Sequence, residues 1–270
     1  MDDLLSMPRR LSAVLVCHTR YDLSSSSTWA AMTRVERCGS SQIGSWTAWR
    51  IVYGADRSYV PLEPTHGQRD CLFWHDALIL VPSSETFHQV AASVALVVAP
   101  YVKLLGSLTS YLADQMGQPQ MRFLAVDMKE VFSHSIKTAM VSGGVVQISF
   151  DYSGDSHADR FTLKGRDPLS SELVRDLFFP EPIPEKSTTS DDSQLTYRPH
   201  GFVLRANKVG FTTNIRCDRF GYIWWFSRNP SAVHNIVPVL EELASMKVFH
   251  QSISSPIRRI RGNPDEEDFE

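Results

Sequence analysis

The side chains in this sequence with the clearest capacity for chemistry are His75 and Asp76, since an imidazole beside a carboxylate is the start of a general base and its orienting partner. They are adjacent in a segment that reads as a strand, where neighbours point to opposite faces and do not pair directly. Ser83 and Ser84 become nucleophiles only if a base approaches them in space. Their position after Pro82 and before Glu85 is explained without chemistry, as a helix cap with an acid in the first turn. No G-x-S-x-G is present. The nine histidines show neither H-E-x-x-H nor H-x-x-x-H spacing. His157, between Asp155 and Asp159, comes nearest to a metal-like cluster, and the turn chemistry of Gly154 and Asp155 accounts for that stretch more simply. Gly143 and Gly144 follow a helical pattern instead of preceding one, so they do not form a phosphate cradle. No P-loop or dinucleotide fingerprint occurs. Catalytic, metal and cofactor assignments are therefore all none. His75, Asp76 and His157 remain the starting points for an enzyme with a site built from dispersed residues.

Recognition has better material. Trp224, Trp225 and Phe226 are contiguous, so in a strand Trp225 faces opposite to the other two. A sheet covered on one side only would expose one of these faces, and aromatic and Arg anchors are the usual hot spots of protein interfaces. Tyr222, Trp224, Trp225 and Arg228 are the candidate partner-binding residues, with Arg216 and Arg219 close by. Arg258, Arg259 and Arg261 form a candidate basic patch. Arginines beside aromatics also suit single-stranded nucleic acid. The acidic run from Asp265 to Glu270 counters that patch, which ranks the nucleic-acid reading second.

The overall charge agrees with this ranking. A net −3 gives no global basic field of the kind that drives sequence-independent nucleic-acid binding. With 43% apolar and 21% charged residues, the 270-residue chain has the composition of a folded protein. Four cysteines lie far apart with no C-x-x-C pair, and Cys17, Cys71 and Cys217 sit in apolar surroundings that suggest reduced, buried thiols. Asp2 and Asp3, a short apolar run and His18 argue against an export signal at the N-terminus. The longest apolar stretch, Val90 to Leu105, contains Ser93, Pro100 and Lys103 and falls short of the ~20 residues that span a bilayer. The expectation is a protein without a membrane span, cytoplasmic or nuclear, with another protein subunit as its partner and nucleic acid as the alternative.

The elements that must position these residues give an α+β fold of two sheet-and-helix halves, with mainly antiparallel strands and helices packed on one face. The first half, 1–119, has a strand at Leu11 to Cys17 and a short helix near Thr28. A hairpin follows from Trp46 to Val60, turning at Gly54 to Asp56, and then a strand from Cys71 to Val81. Phe87, Val90, Val94 and Val97 recur at helical spacing, and Tyr101, Leu104, Leu105, Leu108 and Leu112 repeat it after Pro100. The second half, 120–261, begins with a strand at Met121 to Val126. Asp127 and Glu130 then cap a helix. A hairpin pairs Val145 to Tyr152 with Arg160 to Leu163, and a helix opens at Asp167 and Pro168. Residues 180–200 read as a flexible loop without apolar periodicity. Strands follow at Phe202 to Leu204, Phe211 to Cys217 and Tyr222 to Phe226, with a last helix after Pro230. Residues 262–270 form an acidic tail. Leu78 to Val90 echoes Trp224 to Ile236 as strand, proline and helix. Trp74 to Glu85 resembles the strand-to-helix corner of longin domains over that stretch alone, while the preceding hairpin does not match. These features point to a non-enzymatic interaction or scaffold subunit.

Overall fold

The computed structural model describes residues 10–17, 22–56, 64–69, 71–83, 87, 90–91, 93–117, 121–137, 144–152, 160–166, 168–174, 197–206, 213–226 and 233–253. It is organised around β1 (Arg10–Cys17), whose residues 11 to 17 are all buried. One edge of β1 pairs with β6 (Val94–Ala99), and the sheet continues through β5 (Leu72–Pro82) and β3 (Trp46–Asp56) to β2 (Val35–Ile43). The short β4 (Gln68–Arg69) also pairs with β5. We call this side the covered wing. The other edge of β1 leads through β12 (Tyr222–Phe226), β11 (Thr213–Asp218), β10 (Tyr197–Ala206) and β8 (Val145–Tyr152) to β9 (Arg160–Lys164). This is the open wing. Every strand pair in the thirteen-stranded sheet is antiparallel.

The sheet forks along β1. Strand β12 pairs with Arg10 to Val14, and β7 (Arg122–Val126) takes over at Val16 and Cys17, with β13 (Phe249–Ser252) beyond it. Gly221 sits in the crotch of the fork. Its φ is +85°, and a Cβ there would lie 1.8 Å from the Leu124 carbonyl oxygen, so only glycine fits. The Val126 amide donates to the Arg219 carbonyl at 3.0 Å, holding the β11–β12 turn against β7.

Helices lie on both faces, which corrects the expected packing on one face and makes the protein sheet-rich. On one face, α1 (Ser26–Ala30) and α2 (Val102–Gln115) cover β1, β3, β5 and β6, building a core from Trp29, Leu104, Leu108 and Leu112 against Ile51, Ile79 and Val97. On the other, α3 (Met128–Lys137) and α4 (Val233–Ser245) lie under both wings. Glu241 of α4 accepts from Ser45 Oγ (2.6 Å) and Trp46 Nε1 (3.0 Å) in the covered wing. Asn235 of the same helix donates to Thr213 Oγ1 (2.9 Å) in the open one. Strand β1 pairs on one edge with β12 and β7 from later in the chain.

Several expected elements are confirmed. They include the hairpins β8–β9 and β11–β12, helices α1, α2 and α4, and α3 with Asp127 Oδ1 accepting the amides of Lys129 (3.0 Å) and Glu130 (3.2 Å). The expected helix through Val94 and Val97 is instead strand β6. Its six residues are buried on both faces, so no alternation marks them and the helical spacing of valines is coincidental. In the echo between Leu78 to Val90 and Trp224 to Ile236, the strands are β5 and β12 and the second helix is α4, while 84–86 and 88–89 lie outside the described residues. The longin-like corner at Trp74 has its strand in β5, and Ser84 and Glu85 at its end lie outside the described residues. Strand β3 passes straight through Gly54, where a Cβ would crowd Leu72 Cδ1 at 3.0 Å, and the hairpin turn lies at Gly44 and Ser45 between β2 and β3. The expected helix after Asp167 opens with a 3-10 turn at Pro168–Ser170 and is helical at 172–174, beyond which 175–179 lie outside the described residues. Tyr197 to His200, expected in the loop, open β10, while 180–196 lie outside the described residues. Cys17 and Cys217 are buried, but Cys71 is exposed in a turn at φ 65°.

Candidate binding face

Cross-strand register decides which side chains share a face. In the open wing it sets one row: Ser12, Trp224, Arg216, Val203, Gln147 and Lys164. The residues between them, including Trp225, Ile215, Phe202 and Ile148, turn to the α3–α4 side and are buried. Helix α2 stops at the inner edge of this row. Its core ends on Tyr222 and on Trp224, which packs against it while remaining half-buried. Beyond Trp224 the face is polar. Arg216 is half-buried, and Lys164, with Arg205 in the neighbouring row, is exposed. None of these three cations enters an ion pair among the described residues.

This geometry divides the expected partner residues. Trp225 is fully buried, and its Nε1 has no acceptor among the described residues. Tyr222 is 4% exposed and its hydroxyl hydrogen-bonds Ser12 Oγ at 2.9 Å. Trp224 alone of the three reaches solvent. Arg228 and the patch of Arg258, Arg259 and Arg261 lie outside the described residues.

The same face carries a charge cluster that sequence reasoning missed. Asp151 of β8 accepts from Arg160 Nε of β9 (3.2 Å), lies 3.0 Å from His200 Nδ1 of β10 and meets Arg219 of the β11–β12 turn at 3.1 Å. Burial pushes its pKa up, but the His200 hydrogen bond and the charges of His200, Arg160 and Arg219 outweigh this and hold it below the usual carboxylate value. The cluster clamps three strands and a turn together. The Arg219 guanidinium lies 4.8 Å over the Phe220 ring. Beside it, Asp218 is buried and accepts the amides of Phe220 and Tyr222, each at 2.9 Å. Burial raises its pKa to about 6 despite these bonds. The Asp151–Arg160 pair follows from hairpin register. His200 does not, because it stands in the irregularity between Pro199 and Gly201 where β10 slips against β8.

At the end of the open wing next to the fork lies a shallow groove of about 450 Å³. Val126, Lys129, Arg198, Arg219, Phe220 and His250 are among the residues that line it.

The enzyme candidates are held in structural contacts. His75 and Asp76 face opposite sides of β5. His75 is buried, with Nδ1 3.0 Å from Tyr101 OH and 3.2 Å from Thr65 Oγ1. Burial, then the charge of His66, lowers its pKa, while burial raises that of Tyr101 to about 12. Asp76 pairs with Arg50 Nε (3.0 Å) and His66 Nε2 (3.1 Å). The Ser83 hydroxyl bonds the Ser45 carbonyl and caps no helix among the described residues, and Ser84 lies outside them. Gly143 and His157 also lie outside. Among the described residues, no group of three or more His, Cys, Asp or Glu is placed to hold a metal, and no helix is long and apolar enough to cross a membrane. Neither a protein-family model nor a curated protein matches this sequence.

Proposed function

We propose that this chain is a non-enzymatic interaction subunit that docks a partner protein on the exposed face of the open wing, with Trp224 as the aromatic anchor. The observation that carries the reading is the half-buried Trp224 beside Arg216, on a face that α2 leaves uncovered among the described residues. A half-packed tryptophan is already positioned by its own fold, so a partner gains contact area at little entropic cost. The cations at Arg216, Arg205 and Lys164 add steering towards an acidic surface.

Nucleic acid is the second reading, favoured by the same cations. It needs successive stacking platforms along a strand. Trp224 is the one aromatic in its row, and the net charge of −3 opposes a polyanion.

The test is recovery of partners from the native host with wild type and with Trp224→Ala and Arg216→Glu, alongside melting curves. A protein partner lost in both variants, with each still folded, supports the reading. Full recovery by both overturns it, and loss of bound nucleic acid instead of protein selects the second reading.

A further inference from the structure

The path of the sheet ends on β2 at one side and on β9 at the other, and the two ends finish differently. Strand β2 slips in register against β3 between Arg37 and Gly39, a bulge of the kind that blunts an edge against further pairing. Strand β9 pairs with β8 along its whole length without a slip. The Gly165 amide donates to the Val146 carbonyl at 3.1 Å, which fixes the alternation of this ladder. Phe161 and Leu163 therefore exchange hydrogen bonds with β8, while the N–H and C=O groups of Arg160, Thr162 and Lys164 point outward. None of these outward groups has a hydrogen-bond partner among the described residues.

The side chains of β9 select what can pair there. A second copy of the chain is opposed by charge, since two-fold antiparallel pairing centred on Thr162 sets Arg160 against Lys164 twice. Arg160 already holds Asp151 on β8. Lys164, exposed and in no ion pair among the described residues, is the charge offered to an incoming strand. On the opposite face Phe161 and Leu163 are half-buried against the α3–α4 core, and Phe161 stacks on Phe150 at 4.7 Å. An added strand continues that apolar layer with its own apolar side chains. We infer that the outer edge of β9 accepts a strand from a partner protein, antiparallel like every other pair in the sheet, with an acid opposite Lys164 and apolar residues opposite Leu163 and Phe161. The inference rests on the reading of the chain as an interaction subunit and does not involve Trp224.

The experiment titrates a labelled peptide of sequence EVTIT, whose Glu falls opposite Lys164 in antiparallel register, with the full chain, and follows amide exchange residue by residue. In the free chain the amides of Arg160, Thr162 and Lys164 should exchange fast and those of Phe161 and Leu163 slowly. Saturating peptide should slow the first three. Thr162→Pro deletes an outward N–H and leaves the β8 ladder intact, so the variant should fold and should bind the peptide about tenfold or more weakly. Thr162→Val loses only the hydroxyl contact with Ser149 Oγ (3.2 Å) and should bind like wild type. Melting curves check each variant. If Thr162→Pro does not fold, charge decides alone: wild type should prefer EVTIT to KVTIT, and Lys164→Glu should reverse that order. Trp224→Ala should leave peptide affinity unchanged. No saturable binding of EVTIT, a protected Thr162 amide in the free chain, undiminished binding by folded Thr162→Pro, or equal binding of the two peptides overturns the inference. So does a self-associated chain that Thr162→Pro converts to monomer, because a second copy then holds the edge. Any of these results leaves the docking-face reading standing, since that reading is tested by partner recovery with Trp224→Ala and Arg216→Glu.

Discussion

The two wings hang from the same central strand and are built by different rules. In the covered wing, β1, β6 and most of β5 are buried on both faces, and their sequences run as unbroken apolar stretches such as Val94–Ala99. In the open wing, β9 and β11 alternate, with burial on the α3–α4 side and polar groups on the other. A strand with helices on both faces has no side left for a partner. A strand covered once keeps a face whose residues do not answer to the core. Trp224 and Trp225, adjacent in sequence, stand on either side of that difference, and substitutions at them should separate the two roles.

The largest effect is expected at Trp225. Trp225→Ala removes a fully buried indole from the α3–α4 core and should cost about 3–5 kcal/mol, read by urea unfolding. A cost below about 1 kcal/mol would mean that the core face of the open wing is assigned to the wrong side. Next comes the junction itself. Gly221→Ala puts a methyl 1.8 Å from the Leu124 carbonyl at φ +85°, so β12 and β7 cannot both keep their places beside β1. A loss of about 3 kcal/mol or more is expected, with hydrogen exchange rising first in β7 and β12.

Each wing also buries a titratable group, and the two respond to pH in opposite senses. The folded-state pKa of Asp218 is raised from 3.8 to about 6, so the folded protein holds a proton that the unfolded chain has released. Stability from this group is present below pH 3.8 and is lost as pH rises through about 6, a difference on the order of 3 kcal/mol. Asp218→Asn keeps an acceptor for the two amides, so its stability relative to wild type should climb from pH 4 to pH 7. His75 has a lowered pKa, so its contribution is present above 6.5 and is lost as pH falls through the folded value. His75→Gln should therefore flatten the acid side of the stability profile, where Asp218→Asn flattens the neutral side. Identical pH profiles for the two variants would refute the assignment.

The difference between the wings also sets what the sequence can reveal. Alternation in Arg160 to Leu163 and Thr213 to Cys217 is a direct signal of a half-buried strand, and those hairpins are readable. Val94–Ala99 carries no alternation, and its valines are spaced as on a helix face, so local pattern points to the wrong element there. Length and β-branching were the signals that favoured a strand there. The opposition of Trp224 and Trp225 follows from strand geometry alone. Which of them faces out depends on where α2 ends, and that is a tertiary fact. The Asp151–His200 contact and the groove bring together residues from separate strands, so no local spacing announces them.

The smallest effect on stability, and the one most informative about function, is expected on the open face. Trp224 packs against the α2 core and stays half-buried, so Trp224→Ala should cost about 1–2 kcal/mol, well below its neighbour. Arg216 stands next to it in register, half-buried and without an ion pair among the described residues, and Arg216→Glu should move stability by no more than about 0.5 kcal/mol. Its closest influence is on Asp218, whose pKa the Arg216 charge lowers slightly against the effect of burial. Reversing that charge should therefore push the Asp218 titration upward, and the pH at which wild type loses the stability of protonated Asp218 should move with it. A partner that requires the face will be lost at a substitution that barely moves the melting curve. If Arg216→Glu unfolds the protein as Trp225→Ala does, the row is part of the core and the open wing is not open.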